Sequence, residues 1–130
     1  MKVLVDTSVW SLAFRRTAAA HPSVPKLQEL ILDGRATITG AIRQELLSGI
    51  KISTHFDRLR ERLRAFPDIH VDTEDHEEAA RYFNRCRSRG LQGSNTDFLL
   101  CAIAGRRELP IFTDDKDFAL YAEYLPISLF

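Results

Sequence analysis

Charge of a prevailing sign is missing from this chain. Its 130 residues set 18 lysines and arginines against 18 aspartates and glutamates, a formal net charge of zero. A global field for gripping nucleic acid or an anionic membrane surface is therefore excluded, and such binding has to come from local patches. Arginine supplies 14 of the 18 basic residues, so local patches stay open. Cysteine is scarce too. Cys86 and Cys101 form no Cys-x-x-Cys pair, have no histidine-rich neighbourhood and fall within helical patterns. They are expected to be small apolar fillers in a reducing cytoplasm. No apolar run approaches a membrane span, and no basic-apolar leader precedes Val3. The expectation is a soluble, cytoplasmic protein that starts at Met1 and has no membrane role. What is present is an ordinary globular composition, 45% hydrophobic and 28% charged. The length suits one domain, 1–130, able to bury a core without staples.

Strand and helix patterns alternate. Lys2 to Val5 (KVLV) is apolar and β-branched without polar alternation, as in a strand buried on both faces. Ala36 to Thr39 (ATIT), Ile69 to Val71, Pro110 to Thr113 (PIFT) and Pro126 to Leu129 are further strand candidates. Helices are predicted from Val9, from Lys26 to Gly34 after a Pro-containing loop over His21 to Pro25, and over Ala41 to Gly49. Further helices are expected over Ser53 to Phe66, Asp75 to Arg89, from Asn95 through Phe98 to Ala104, and from Phe118 to Tyr124. Phe98 to Ala104 (FLLCAIA) is apolar nearly all round and should be deeply packed. Such alternation implies right-handed crossovers, a mostly parallel central sheet and an α/β fold in three layers, an α/β/α sandwich.

Acids stand at the strand ends. Asp6 follows KVLV, while Asp114, Asp115 and Asp117 follow PIFT. In open parallel sheets ligands collect beyond the carboxyl ends of the strands, where the strand order reverses. If the first and fourth strands are neighbours, carboxylates more than 100 residues apart converge. Asp97 adds another in the first turn of the most apolar helix, and Glu45 leans toward the buried side of its own. Singly, each has an ordinary explanation: Asp6 as a helix cap, Asp97 as compensation for the helix dipole, Glu45 as a solvated residue, DDKDF as a polar turn. Together they need a cation to offset their repulsion. Oxygen-only ligands favour Mg²⁺ or Mn²⁺ over zinc, and such ions activate water and stabilise a phosphoryl displacement.

Four stretches in order, VDTSVW, QELLSG, NTDFLLCAIA and TDDKDF, make the chain resemble the PIN-domain ribonucleases. The likeness is closest to the VapC toxins of type II toxin–antitoxin pairs, and it extends over essentially all 130 residues. The resemblance implies a PIN-like fold in which Asp6, Glu45, Asp97 and Asp115 are the core acids holding Mg²⁺ or Mn²⁺, with Asp117 accessory. The family pattern Thr-x-Asp-x-Asp-Phe aligns Asp115 with the core, while Asp114 stands directly beside it. Thr7 and Thr113 would orient the carboxylates. The implied function is an Mg²⁺-dependent endoribonuclease that cleaves RNA phosphodiester bonds by metal-activated water. A VapB-type antitoxin and a homodimer complete the implied assembly.

Arg81, Arg85 and Arg89 recur every four residues and are predicted to share one helix face. They form either a solvated, salt-bridged face or a guide for RNA phosphates. The histidines show no ligand pairing. Other Mg²⁺ chemistries fit poorly: a haloacid-dehalogenase-type phosphatase wants a second aspartate two residues after Asp6, where Ser8 stands. A receiver domain wants an acidic pair after the first strand and a lysine after the fifth. The remaining alternative is a PIN-fold protein acting as a non-catalytic protein-interaction module.

Overall fold

Val3, Leu4 and Val5 have no exposed surface, which is why their run carries no polar alternation: β1 (Val3–Val5) lies in the middle of the sheet. The computed structural model describes residues 1–15, 17 and 20–130. β2 (Ala36–Thr37) and β3 (Ile111–Phe112) flank β1 in parallel, with Val3 opposite Ala36 and Val5 opposite Phe112. Single parallel bridges extend both edges, Asp68 beside Ile38 and Leu129 beside Ile111. Taken in chain order the segments lie third, second, first, fourth, fifth, so the order reverses between β1 and β3. The first and fourth predicted strands are therefore neighbours at the switch point.

The two outer strands predicted over Ile69 to Val71 and Pro126 to Leu129 shrink to those single bridges. At the first edge the His70 carbonyl accepts from Arg107 Nη2 at 2.8 Å instead of from a strand. At the other, Pro126 has no N–H to offer a ladder. Pro25 also corrects the reading of a loop there: it sits in the first turn of α2 (Ser23–Leu32), where a missing N–H costs no helical bond.

α1 (Thr7–Ala13) packs against both α2 and α3 (Gly40–Leu47), and α3 in turn against α4 (Ser53–Leu63). Trp10 of α1 donates its indole N–H to Val5 O at 3.1 Å and tilts against Phe66, pinning this layer to the central strand. The other layer is built on the hairpin of α5 (Thr73–Arg87) and α6 (Asn95–Arg107), the most extensive helix pairing among the described residues. As its composition predicts, α6 is sunk deeply, with Phe98 and Leu100 to Ala104 all buried. Phe83, Phe98, Tyr121 and Phe118 form an aromatic chain that joins the hairpin to α7 (Asp117–Tyr121). Together these layers make an α/β/α sandwich. Cys86 and Cys101 are free and fully buried, and burial pushes both thiols up, so they are inert packing groups. Among the described residues no helix is long and apolar enough to cross a membrane.

Candidate active site

β1 and β3 both end at the same edge of the sheet, and their first polar residues meet there. Asp6 leaves β1 in extended conformation and caps α1: its Oδ2 accepts from Ser8 N at 3.4 Å and from Ser8 Oγ at 2.8 Å. The same oxygen accepts from Thr113 Oγ1, just past β3, at 2.9 Å. The cap therefore falls to Asp6 itself, with the Ser8 hydroxyl donating to it. It is only 7% exposed, so its orientation is set by three donors and not by solvent.

Thr113 Oγ1 in turn accepts from Asp115 N at 3.0 Å, so one hydroxyl ties the Asp6 carboxylate to the Asp115 backbone. Asp115 Oδ1 accepts from Asp117 N at 2.9 Å and so starts α7, while Asp117 itself is exposed. Asp114 takes a different path. Its N–H donates to Ser8 Oγ at 2.9 Å, and its carboxylate faces His21 Nε2 and Ser23 Oγ, each at 3.4 Å. Since Ser23 N donates to His21 Nδ1 at 3.1 Å, the ring proton belongs on Nε2, toward Asp114. Asp114 anchors the loop before α2, which leaves Asp115 as the inward member of the pair.

Asp97 reaches the site from α6. It is the third residue of a capping box: Asp97 N donates to Ser94 Oγ at 3.1 Å, and Ser94 N donates to Asp97 Oδ2 at 3.0 Å. Burial pushes its carboxyl above the usual range, the Ser94 bonds pull it back, and the nearby charges of Asp6 and Asp115 raise it further. Glu45 completes the group from α3, its Oε1 accepting from Thr7 Oγ1 at 2.7 Å. Contrary to the expectation of a buried-side residue, Glu45 is exposed, and Ile42 is the buried residue of α3.

The donors are all oxygen, which suits Mg²⁺ or Mn²⁺. Among the described residues no three His, Cys, Asp or Glu side chains stand close enough to close around an ion as they are. The repulsion that raises Asp97 opposes closer approach, and a cation removes it.

Of the arginine row, Arg85 and Arg89 both meet Tyr124, but the helix ends before the last of the three. α5 stops at Arg87, so Arg89 lies in the turn beyond the helix with its guanidinium over the Tyr124 ring. Arg81 pairs with Glu78 at 3.5 Å, and Arg85 donates to Tyr124 O at 3.3 Å. None of the three contacts the acidic group.

Sequence reasoning missed Ser8, Ser94 and Tyr121. The spacing Ser94-x-x-Asp97 is itself a capping-box signature and was available to find Ser94. Tyr121 lies beneath the acids, its hydroxyl donating to Gln92 O at 2.7 Å. Burial pushes its phenol up, away from ionisation, and the charges of Asp97, Asp117 and Asp115 add to the rise. A Cβ on Gly93 would overlap Tyr121 Oη and press Phe98 Cε2 at 3.0 Å. Gly93→Ala is therefore expected to cost about 2 kcal/mol as overpacking, seen as a lower melting temperature. An unchanged melt would show that Tyr121 can move freely.

The PIN domain family model matches residues 3–124. A comparison with curated proteins found no match. Among solved structures the chain is similar to VapBC2 of Rickettsia felis bound to a promoter DNA fragment, at 18% identity and TM-score 0.80, covering 100% of this chain and 98% of that one. It is also similar to FitAcB of Neisseria gonorrhoeae, at 21% identity and TM-score 0.78, with 98% and 96% covered. VapBC-5 of Mycobacterium tuberculosis, a member of the VapBC family of toxin–antitoxin systems, follows at 22% identity and TM-score 0.69, again with 98% and 96% covered. These likenesses speak for the fold. With the family model spanning nearly the whole chain and the acids gathered at the switch point of a parallel sheet, this chain belongs to the PIN-domain family.

Proposed function

We propose that the chain is a metal-dependent endoribonuclease, the toxin of a VapBC-type pair. The observation that carries this reading is that one hydroxyl, Thr113 Oγ1, ties the Asp6 carboxylate to the Asp115 backbone, while Asp97, fixed by Ser94, lies near enough for both charges to raise its carboxyl, a repulsion a cation would offset. Asp6, Asp97 and Asp115, with Glu45 at the margin, would hold Mg²⁺ or Mn²⁺. Bound there, the ion supplies an activated water and neutralises charge on the phosphate and the leaving oxygen. The chain's own part is positioning. Thr113 fixes Asp6 and the Asp115 backbone together, Thr7 holds Glu45, and Ser94 fixes Asp97. Asp117 lies one turn outward, suited to an accessory role.

The same reading brings an antitoxin of the VapB type, which the toxin–antitoxin complexes among the structural neighbours support, and with it an RNA substrate and a homodimer. The test is direct. Purified protein should cut single-stranded RNA internally in Mg²⁺ or Mn²⁺, and EDTA should reduce the rate to background. RNA left intact by well-folded protein in both ions would favour the interaction-module alternative.

A further inference from the structure

Between α5 and α6 lies a cleft of about 400 Å³ that none of the candidate acids lines. Its walls are of two kinds. Phe83 and Phe98, edge to face at 5.6 Å, contribute aromatic surface beside Ala79, Ala80 and Leu99, while Asn84, Asn95, Thr96 and the His76 imidazole contribute polar groups. Thr96 is the immediate neighbour of Asp97 in the first turn of α6, so cleft and acids flank the same helix end. At its rim the Arg87 guanidinium lies over the Phe83 ring at 5.1 Å, and among the described residues no carboxylate pairs with it.

That combination has a chemical meaning. Two side-chain amides offer donors and acceptors together, as a nucleobase edge requires. A guanidinium backed by an aromatic ring offers a flat cationic face on which a base stacks or a phosphate docks. Carboxylates, which would repel a phosphate chain, are absent from the described walls of the cleft. An α-helix is about 10 Å across, so a strand whose phosphate lies at Asp97 can reach the cleft within one or two nucleotides.

We infer that the α5–α6 cleft is a base-recognition subsite for single-stranded RNA, with Asn84 and Asn95 reading the base edge and Arg87 holding it from the rim. The inference rests on the nuclease reading of the neighbouring acids and specifies where that reading draws its sequence preference.

The experiment separates the two. Fluorescence anisotropy with labelled rA10, rC10 and rU10 in EDTA reads binding without cleavage. Wild-type protein is expected to prefer one of the three by about tenfold. Asn84→Ala, on an exposed helix position where alanine favours the helix, should reduce that preference below about threefold. Arg87→Gln should weaken all three and flatten the salt dependence. On a mixed-sequence RNA in Mg²⁺, Asn84→Ala should redistribute the cut sites. Equal binding of the three oligonucleotides by wild type, or an unchanged preference in Asn84→Ala, overturns the subsite whatever the cleavage result. So does a change in molar mass by light scattering on Asn84→Ala with RNA preference intact, which would make the cleft a protein interface. Absent cleavage together with a preference that Asn84→Ala removes overturns the nuclease reading alone.

Discussion

Replacing Asp97 by asparagine is expected to reduce metal-dependent RNA cleavage on the order of 1,000-fold without lowering the melting temperature. The asparagine keeps the shape and the carbonyl oxygen that accepts Ser94 N, so the start of α6 survives. It removes the charge that burial and the carboxylates of Asp6 and Asp115 make costly. A structural acid would show the reverse pattern, activity kept and stability lost. The same environment sets a pH dependence. Because the Asp97 carboxyl is raised above its ordinary 3.8, it takes up a proton earlier on acidification than an exposed aspartate. Metal binding needs the carboxylate, so the Mg²⁺ requirement should rise as the pH falls toward that range. Cleavage by Asp97→Asn at the wild-type rate, across metal concentrations, would remove Asp97 from the site.

How much of this was legible in the sequence depends on the kind of signal. The central strand announced itself because burial on both faces forbids alternation, and the deep α6 because it is apolar all round. The outer strands were overcalled. Ile69 to Val71 and Pro126 to Leu129 carry β-branched residues, but a strand also needs free backbone partners. Arg107 and Pro126 remove these from the two edges. The acids were legible as positions after strand ends, since topology alone brings Asp6 and Asp115 to one place. Their fine arrangement was not. That Asp114 turns to His21 and Ser23 depends on a side-chain choice between adjacent residues, which no periodicity encodes. The arginine spacing of four is a true helical signal, yet it could not reveal that the helix ends at Arg87 or that Glu78 and the Tyr124 carbonyl already engage its members.

At the far end of the α5–α6 hairpin, Asp75→Asn is expected to destabilise the fold by roughly 3 kcal/mol, about 10 °C in melting temperature. Asp75 has no exposed surface. Its carboxylate accepts from Arg106 Nη1 at 2.6 Å, from Arg107 Nη1 and Nη2 at 2.7 and 2.8 Å, and from Asp72 N at 2.9 Å. An amide cannot satisfy that set, because its nitrogen would face guanidinium donors. Two partly buried cations would then lose their common counter-charge. Arg107 bonds hold the Asp75 carboxyl far below its ordinary 3.8, with the Asp72 N–H and Arg106 acting in the same direction. A depressed carboxyl stabilises the fold above its unfolded value and loses that contribution as acid protonates it. The gap in stability between wild type and Asp75→Asn should therefore be full at neutral pH and narrow as the pH falls below about 4. Denaturant melts at pH 7 and pH 3 measure it, and a gap equally wide at both would assign the loss to packing and not to charge. The consequence extends to the site, because the α5–α6 hairpin closed here carries Asp97 at its opposite end. An Asp75→Asn protein held below its melting temperature should still cleave RNA at close to the wild-type rate, since the lock acts on the population of folded chains and not on the arrangement of Asp6, Asp97 and Asp115.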